Sequence, residues 1–315
     1  MNRIKVRQML WLWGAIMLAL ITDNPAVALL FGAAIALIWG NKDLKFTGMI
    51  GKYSLQTAVV LLGFGLQIGT VLHVGLTSVW VTLISVTFVM IMGWLLGLWL
   101  KVDKDISTLI SGGTAICGGS AIAALAPAIG ASQAHTAVAM AIVFLLNAVG
   151  LIIFPYVGQL LGLTQSEFGL WSAIAIHDTS SVVGAAAIYG TLALSIATTV
   201  KLTRALWILP LSFVMARVHH SKSAAKIPWF LFGFLLAAVI RSVFEGAEGA
   251  WNSFAALGKH LMVATLFFIG AGLTREDLRQ IGSRPLIKGV VLWAIVTVVS
   301  LVAIYAGWIH IDVPL

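Results

Sequence analysis

Five consecutive polar residues interrupt an apolar stretch in the second half of the chain. They are His177, Asp178, Thr179, Ser180 and Ser181. Five successive side chains occupy every face of a helix, and a lone carboxylate in the membrane costs at least ~2.5 kcal/mol. We expect His177 and Asp178 to carry or gate a coupling proton, and the three hydroxyl residues to bind substrate. The alternative is a loop between two short helices.

A glycine-rich segment from 106 to 131 carries a second chemical signal. The candidate binding residues within it are Gly112, Gly113, Thr114, Cys117, Gly118, Gly119 and Ser120. Glycine pairs free the backbone from helical geometry, and amides exposed at membrane depth persist only where they line a protein-buried cavity. Broken helices in transporters point their positive N-termini at anionic substrates, so we expect backbone donors here. The alternative is a tight contact between helices built from small residues.

Two cations lie inside another apolar run. Lys201 and Arg204 are spaced i, i+3 and share a helix face, about 15 Å along a helix that begins near Thr191. Asp178 can neutralise only one of them, so the interior stays positive, and protonation of His177 would make it more so. This favours binding of a carboxylate, sulfate or sulfonate by Lys201 and Arg204. The alternative is that Asp178 pairs with one cation for assembly alone.

The elements that position these residues must be membrane helices. Of the 315 residues, 60% are hydrophobic and 10% are charged, and the mean hydropathy is +1.04; soluble domains carry roughly 25% charged residues. Apolar runs lie near 9–22, 26–39, 55–72, 79–100, 106–127, 136–154, 167–190, 191–217, 227–244, 253–273 and 286–306. We predict an all-α polytopic bundle of about eleven transmembrane helices, one domain over 1–315, with discontinuous helices near the midplane. The first run is short, and we expect an uncleaved helix there and not a signal peptide.

The basic residues set the predicted orientation, because Lys and Arg collect in short cytoplasmic loops. Eleven spans place fifteen of the nineteen basic residues on one side: Arg3, Lys5, Arg7, Lys42, Lys45, Lys52, Lys101, Lys104, Arg217, Lys222, Lys226, Arg275, Arg279, Arg284 and Lys288. The N-terminus is then cytoplasmic and the C-terminus outside. Removing the crossing at 167–190 would move Arg217 outside, which argues against the loop interpretation. The net charge of +8 needs no nucleic acid to explain it, since anionic lipids suffice.

Two further patterns bear on symmetry and on cofactors. The pattern G-x-G-L-x8-G begins at Gly63 and again at Gly270, and the predicted topology runs the copies in opposite directions. This indicates an inverted repeat, although glycine is common enough in membrane helices for chance to supply it. Cys117 is the only cysteine, so an intramolecular disulfide or a cysteine-rich zinc site is excluded, and we predict no metal site and no cofactor. His135 lies near a span end and is predicted to be interfacial.

Three motifs together resemble a known family. They are GGTAICGGSAIAALAP from Gly112, AIHDTSSVVGAA from Ala175 and KLTRALWILP from Lys201. The chain from about Leu55 onward is similar to the YeiH-type family of bacterial inner-membrane proteins, often named as sulfate exporters. It is also similar to the superfamily of cation:proton antiporters and bile-acid-type sodium symporters, which have inverted repeats and broken helices. The resemblance implies a transporter of the bacterial inner membrane.

These observations together predict a secondary transporter and no enzyme. We expect export of a small anion, such as sulfate or a related sulfur oxyanion or organic anion, by alternating access coupled to H⁺ or Na⁺. No Walker motif supports ATP use. The alternative is a cation:proton antiporter in which Asp178 binds the cation. The expected partners are the anion, the coupling ion and membrane lipid, without nucleic acid, and a homo-oligomer remains open.

Overall fold

Every regular element in the described part of the chain is helical. The computed structural model describes residues 3–22, 25–65, 67–218, 230–272 and 282–310. The helices are α1 (Arg3–Ile21), α2 (Pro25–Trp39), α3 (Leu44–Gly63), α4 (Ile68–Trp99), α5 (Lys104–Ala115), α6 (Gly119–Ile129), α7 (Gln133–Leu160), α8 (Gln165–Ala175), α9 (Thr179–Tyr189), α10 (Thr191–Leu206), α11 (Ile208–Val218), α12 (Phe230–Val243), α13 (Glu248–Ala271) and α14 (Ser283–Tyr305). The predicted all-α class and its discontinuous helices are confirmed.

Several of these helices can cross a bilayer. By length and apolar composition, five stretches of the described residues qualify as spans, namely Ile68–Trp99, Ala134–Leu160, Thr191–Val218, Glu248–Ala271 and Ser283–Tyr305. Further apolar helices, such as Val27–Trp39, are shorter. Since only helices with internally bonded backbone persist in lipid, the chain is a membrane protein with several apolar helices.

The helices cluster into two compact units that are interleaved in the sequence. Unit 1 is Met1–Val71 with Pro228–Glu276, and unit 2 is Leu72–Ile227 with Asp277–Leu315. In unit 1, α2 and α13 approach closely, because a Cβ at Gly32 would overlap the Phe267 carbonyl. That the units form one transmembrane domain stays a prediction.

The first glycines of the two G-x-G-L copies, Gly63 and Gly270, lie at the ends of α3 and α13, which run antiparallel in unit 1. Gly51 faces Phe268, whereas Gly258 faces Leu61 at the other end of the contact. The opposite directions agree with the predicted topology. The inverted repeat itself stays a prediction, because the leucines of both copies lie outside the described residues. Four of the basic residues that set the predicted orientation also lie outside them, namely Lys222, Lys226, Arg275 and Arg279.

In unit 2, α5 and α6 fold back against each other as a hairpin and do not continue in one direction as a kinked helix. A Cβ at Gly112 of α5 would overlap the side chain of Leu125 in α6. Nδ1 of His135, at the start of α7, is 3.3 Å from the Asp105 carboxylate at the start of α5. Both ends of the hairpin therefore lie at the same end of α7, so the segment 106–127 turns back and does not run the length of α7.

A second hairpin, α8 and α9, enters unit 2 from the opposite end of α7. The Tyr189 hydroxyl donates to the Leu163 carbonyl at 2.5 Å, and the Tyr189 ring stacks on Phe168 with centroids 3.8 Å apart. The start of α8 and the end of α9 thus lie together, so the segment 167–190 also turns back. Nine of the eleven predicted spans remain as candidate crossings. Two lost crossings cancel in parity, so the predicted orientation is unchanged and stays a prediction.

Candidate functional site

The tips of the two hairpins touch inside unit 2. The first tip is 116–118 and the second is 176–178. A Cβ at Gly118 would lie 3.2 Å from Cβ and 3.3 Å from Cα of Asp178. Gly118 also has φ of +64°, a region that other residues rarely adopt. The two tips therefore meet at Gly118 and Asp178, whose roles in a binding site stay a prediction.

Asn147 holds the second tip at the middle of α7. Its Oδ1 accepts the backbone N–H of His177 at 3.0 Å and of Asp178 at 3.1 Å, and the side chain is 3% exposed. The sequence reasoning missed Asn147, although a single asparagine in the apolar run 136–154 is a usable signal. The tips therefore meet about half-way along a helix roughly 42 Å long.

Lys201 and Arg204 of α10 donate hydrogen bonds to backbone carbonyls at the C-terminal ends of α5 and α8, the first helices of the two hairpins. Nζ of Lys201 donates to the carbonyls of Ala173 at 3.3 Å and Ile176 at 2.8 Å. Nη1 of Arg204 donates to Ala173 at 3.2 Å and to Ile174 at 2.6 Å, and Nη2 donates to Thr114 at 3.3 Å. Helix C-termini carry unpaired carbonyls and partial negative charge. The two cations thus supply hydrogen-bond donors and positive charge to the C-terminal ends of α5 and α8.

The end of α8 is fully hydrogen-bonded as a result. The remaining carbonyls there belong to Ser172, which accepts from the Ile176 amide at 3.0 Å, and to Ala175, which accepts from Nε1 of Trp293 at 3.1 Å. Trp293 was also missed, since nothing in a sequence shows which tryptophan reaches into a core. Every backbone carbonyl from 172 to 176 therefore has a partner.

Asp178 caps the beginning of α9 and does not pair with the cations. Its carboxylate accepts the amides of Ser180 at 3.0 Å and Ser181 at 3.3 Å, and it also accepts the Ser180 hydroxyl. Among the described residues, the ion pairs are those of Arg7 with Asp43 and of His135 with two aspartates. Asp178 therefore forms no direct ion pair with Lys201 or Arg204, which argues against the alternative of pairing for assembly alone.

The beginning of α6 differs from the other three helix ends at the tips. Its N-cap residue is Gly118, which offers no side-chain acceptor. The first amides of a helix have no acceptor within the helix. Ser120, the second residue of α6, is exposed, whereas 111–119 are buried. The positive end of α6 is thus the one helix end at the described tips without a charged side-chain partner.

The other predicted site residues fall into two groups. Gly112 and Gly113 lie within α5, where their Cα positions pack against Leu125 and Ile122, as the alternative of a packing contact predicts. Gly119 packs against the Phe144 ring. The rest are buried at the tips: Thr114, Cys117, His177, Thr179 and Ser181. His177 is fully buried, and neither of its ring nitrogens has a hydrogen-bond partner in the described part of the chain.

Lys288 is a buried cation that the sequence reasoning counted among the basic residues of the cytoplasmic side. It lies within α14 and is fully buried, with Nζ donating to the Ser107 carbonyl at 2.5 Å and the Ser111 hydroxyl at 2.8 Å. A Cβ at Gly93 or Gly97 of α4 would overlap these two serines. The glycines thus let α4 approach α5, which helps to enclose the Lys288 contacts.

Comparison with known proteins places the chain among membrane proteins of bacteria. The profile of the family described as conserved hypothetical protein 698 matches residues 12–289. A UPF0324 membrane protein of Geobacter sulfurreducens is 47% identical over 285 residues, which cover 90% of this chain and 92% of that relative. A UPF0324 membrane protein of Bdellovibrio bacteriovorus is 42% identical over 317 residues, 98% of each chain. One from Bacteroides thetaiotaomicron is 45% identical over 285 residues, 90% of this chain and 86% of the relative. No solved structure gives a significant match.

Proposed function

The chain belongs to the conserved hypothetical protein 698 family of UPF0324 membrane proteins, and from this membership and its hairpin tips we propose that it is a secondary transporter of a small anion. We place it in the bacterial inner membrane, with the N-terminus cytoplasmic and the C-terminus outside. The proposed substrate is sulfate or a related sulfur oxyanion or organic anion, and H⁺ or Na⁺ is the coupling ion. Lipid and these ions are the proposed partners, without nucleic acid, and we propose no enzymatic activity.

The charge balance of the four helix ends at the tips is the observation that carries this proposal. Each helix end carries roughly half an elementary charge, positive at the N-terminus and negative at the C-terminus. Lys201 and Arg204 match the negative ends of α5 and α8, and Asp178 matches the positive end of α9. The positive end of α6 alone has no charged partner at the tips. Bound anions are common at such helix ends.

The total charge of the site also favours an anion. Two buried cations face one half-buried carboxylate, so one positive charge is left over. The hydrogen bonds of Lys201 and Arg204 go to backbone carbonyls, and Nε of Arg204 is buried without a hydrogen-bond partner in the described part of the chain, so these residues contribute mainly charge. We therefore propose the amide of Gly119 and the hydroxyl of Ser120 as direct anion ligands.

The two hairpins offer a route to alternating access. They enter from opposite ends of α7, and their tips meet beside Asn147. In carriers, substrate sites lie near the midplane where broken helices end. Movement of the first hairpin would open the site to one side, and movement of the second would open it to the other.

Asp178 is suited to couple a proton to the anion. It contacts Gly118, next to the α6 amides, and caps α9 at the same time. A proton on Asp178 would remove a negative charge beside the anion and would strengthen anion binding. A divalent oxyanion with one proton still carries one net negative charge. An inside-negative potential favours its exit by about 2.3 kcal/mol per 100 mV, which suits export.

Flux into proteoliposomes tests the proposal. We expect saturable transport of labelled sulfate, or of a competing sulfite or sulfonate, that depends on a pH or Na⁺ gradient. Ser120→Ala removes one hydrogen bond of about 0.5–1.5 kcal/mol, so KM should rise roughly 2- to 10-fold. Ser253→Ala, which alters an exposed serine of α13, is the matched control and should leave KM unchanged. An anion flux that survives Lys201→Ala with Arg204→Ala would show that the site is wrongly assigned.

A cation:proton antiporter is the second candidate. The observation in its favour is the half-buried Asp178 carboxylate, which lies beside the Ser180 hydroxyl and can offer oxygen ligands to Na⁺. Vesicles would then show Na⁺-dependent pH changes that are abolished by Asp178→Asn and are indifferent to added sulfate. Anion-dependent flux without such pH changes would exclude this candidate.

A further inference from the structure

Three metal-binding side chains meet at the open end of the first hairpin. Asp103 caps α5, Asp105 lies in its first turn, and His135 lies in the first turn of α7. Nδ1 of His135 is 3.3 Å from Oδ2 of Asp105 and 3.4 Å from Oδ1 of Asp103. One ligand atom from each residue lies within 4.8 Å of the other two. The proposed anion site at the tips uses none of these residues.

The charges of this cluster call for a cation. Two carboxylates approach one ring nitrogen, and a neutral imidazole can offer only one N–H at that atom. No lysine or arginine forms an ion pair with either aspartate within the described ranges. Either a proton on His135 or a metal ion bound between the three groups would offset the repulsion between the carboxylates.

The distances distinguish between kinds of metal ion. Around a tetrahedral ion with ligands at roughly 2.05 Å, two ligand atoms are about 3.3 Å apart. Around an octahedral ion at the same ligand distance, neighbouring ligands are only about 2.9 Å apart. The two separations from His135, 3.3 Å and 3.4 Å, fit the tetrahedral case. One imidazole and two carboxylates also match the donors that Zn²⁺ accepts.

The cluster is accessible and partly preorganised. The side chains of Asp103, Asp105 and His135 are 50%, 35% and 34% exposed, so an ion can enter from water without unfolding. Asp103 is held in place because its Oδ1 accepts the Asp105 amide at 2.9 Å and the Ile106 amide at 3.3 Å. The Ser132 hydroxyl accepts the His135 amide at 3.1 Å and fixes the start of α7.

We propose that Asp103, Asp105 and His135 bind a divalent transition-metal ion of the Zn²⁺ class, with water as the fourth ligand. The bound ion links the start of α5 to the start of α7 and thereby stabilises the end of the first hairpin that lies opposite its tip. The sequence predicted no metal site, because these ligands lie about 30 residues apart and show no spacing typical of zinc sites.

Calorimetric titration of the full-length protein with ZnCl₂ tests this proposal. The protein carries no polyhistidine tag and is purified in detergent. We expect one Zn²⁺ per chain and a higher unfolding midpoint, since the ion binds only the folded state. His135→Ala and Asp105→Asn should each weaken binding by at least about 10-fold, because each removes a ligand. His310→Ala alters an exposed histidine outside the cluster and is the matched control, with unchanged affinity expected.

Two further readouts separate a metal site from a protonated histidine. Co²⁺ in place of Zn²⁺ should give the visible absorption of a tetrahedral complex, and MgCl₂ should not bind. Equal Zn²⁺ affinity in the wild type and His135→Ala would overturn the proposal. So would an unfolding midpoint of the wild type that ZnCl₂ leaves unchanged, since no ion would then bind the folded state. Neither result bears on anion flux, so this proposal and the transport proposal fail separately.

Discussion

Replacing Gly118 by alanine tests the contact between the two hairpin tips. Gly118 has φ of 64° and ψ of −125°, a conformation that costs a residue with a side chain of order 1–3 kcal/mol. The new methyl would lie 3.2 Å from Cβ and 3.3 Å from Cα of Asp178, so the tips must move apart by a few tenths of an ångström. We expect the free energy of unfolding to fall by about 2 kcal/mol. At about 2 °C per kcal/mol for a large domain, the unfolding midpoint should fall by about 4 °C.

Gly130→Ala is the matched control at the other end of α6. Gly130 has φ of 70° and ψ of 23°, but nothing lies within 4 Å of a Cβ built there. It should cost about 1 kcal/mol through the backbone alone. Both variants are strained, but only Gly118→Ala displaces Asp178. Since small misplacements in a site reduce rates steeply, we expect anion flux to fall about 10-fold in Gly118→Ala and less than about twofold in Gly130→Ala.

The assay measures the unfolding midpoint in detergent and anion flux in proteoliposomes, with the flux normalised to folded protein. Equal midpoints and equal fluxes for Gly118→Ala and Gly130→Ala would refute the reasoning, because the contact with Asp178 would then carry no weight. A lower midpoint with normal flux would support the contact between Gly118 and Asp178 but would show that Asp178 is not part of the transport site.

Three further changes test other parts of the fold. Arg204→Ala leaves carbonyls unpaired at the ends of α5 and α8, and we expect a loss of about 3–5 kcal/mol by denaturant unfolding, with a smaller loss in Arg204→Lys. Asn147→Leu leaves two buried amides without their acceptor, and we expect limited trypsin digestion to show a loss of about 2 kcal/mol; unchanged protection would contradict the anchoring role. The hydrogen bond from Arg7 lowers the pKa of Asp43 in the folded state. The ionised Asp43 carboxylate therefore stabilises the fold at any pH above the pKa of about 3.9 that it has in the unfolded chain. This stabilisation is lost as the pH falls through the lower pKa of the folded state. The unfolding midpoint of the wild type should therefore exceed that of Asp43→Asn by a constant amount from neutral pH to about pH 4, and this difference should shrink at lower pH. A difference that grows on acidification would contradict the prediction.

Local features of the sequence predict much of the fold. The apolar runs predict membrane helices, because a backbone in lipid must bond to itself. The breaks near Gly118 and Asp178 were also predicted, since glycine pairs and successive polar residues disrupt a membrane helix whatever surrounds it. Both properties depend on residues next to one another in the chain.

Whether a broken segment crosses the membrane or turns back was not predictable. A kinked rod and a hairpin have the same length and the same hydropathy. The basic residues could not reveal the turns, because two segments that turn back cancel in parity and leave every lysine and arginine on its predicted side. Only contacts near the two ends of each segment decide the matter. His135 at the start of α7 approaches Asp105 at the start of α5, and Tyr189 at the end of α9 bonds to Leu163 just before α8.

The residues that carry charge were recognisable from the sequence, but their partners were not. Lys201 and Arg204 stand out because cations are expensive in an apolar run. Their partners are backbone carbonyls, which every residue possesses and which no sequence pattern marks. Asn147, Trp293 and Lys288 gain their roles from residues that lie about 30 to 180 positions away. The sequence by itself thus determined that Lys201 and Arg204 must be buried and where helices break, and the tertiary structure decided which helix ends are neutralised, because that depends on groups brought together only by folding.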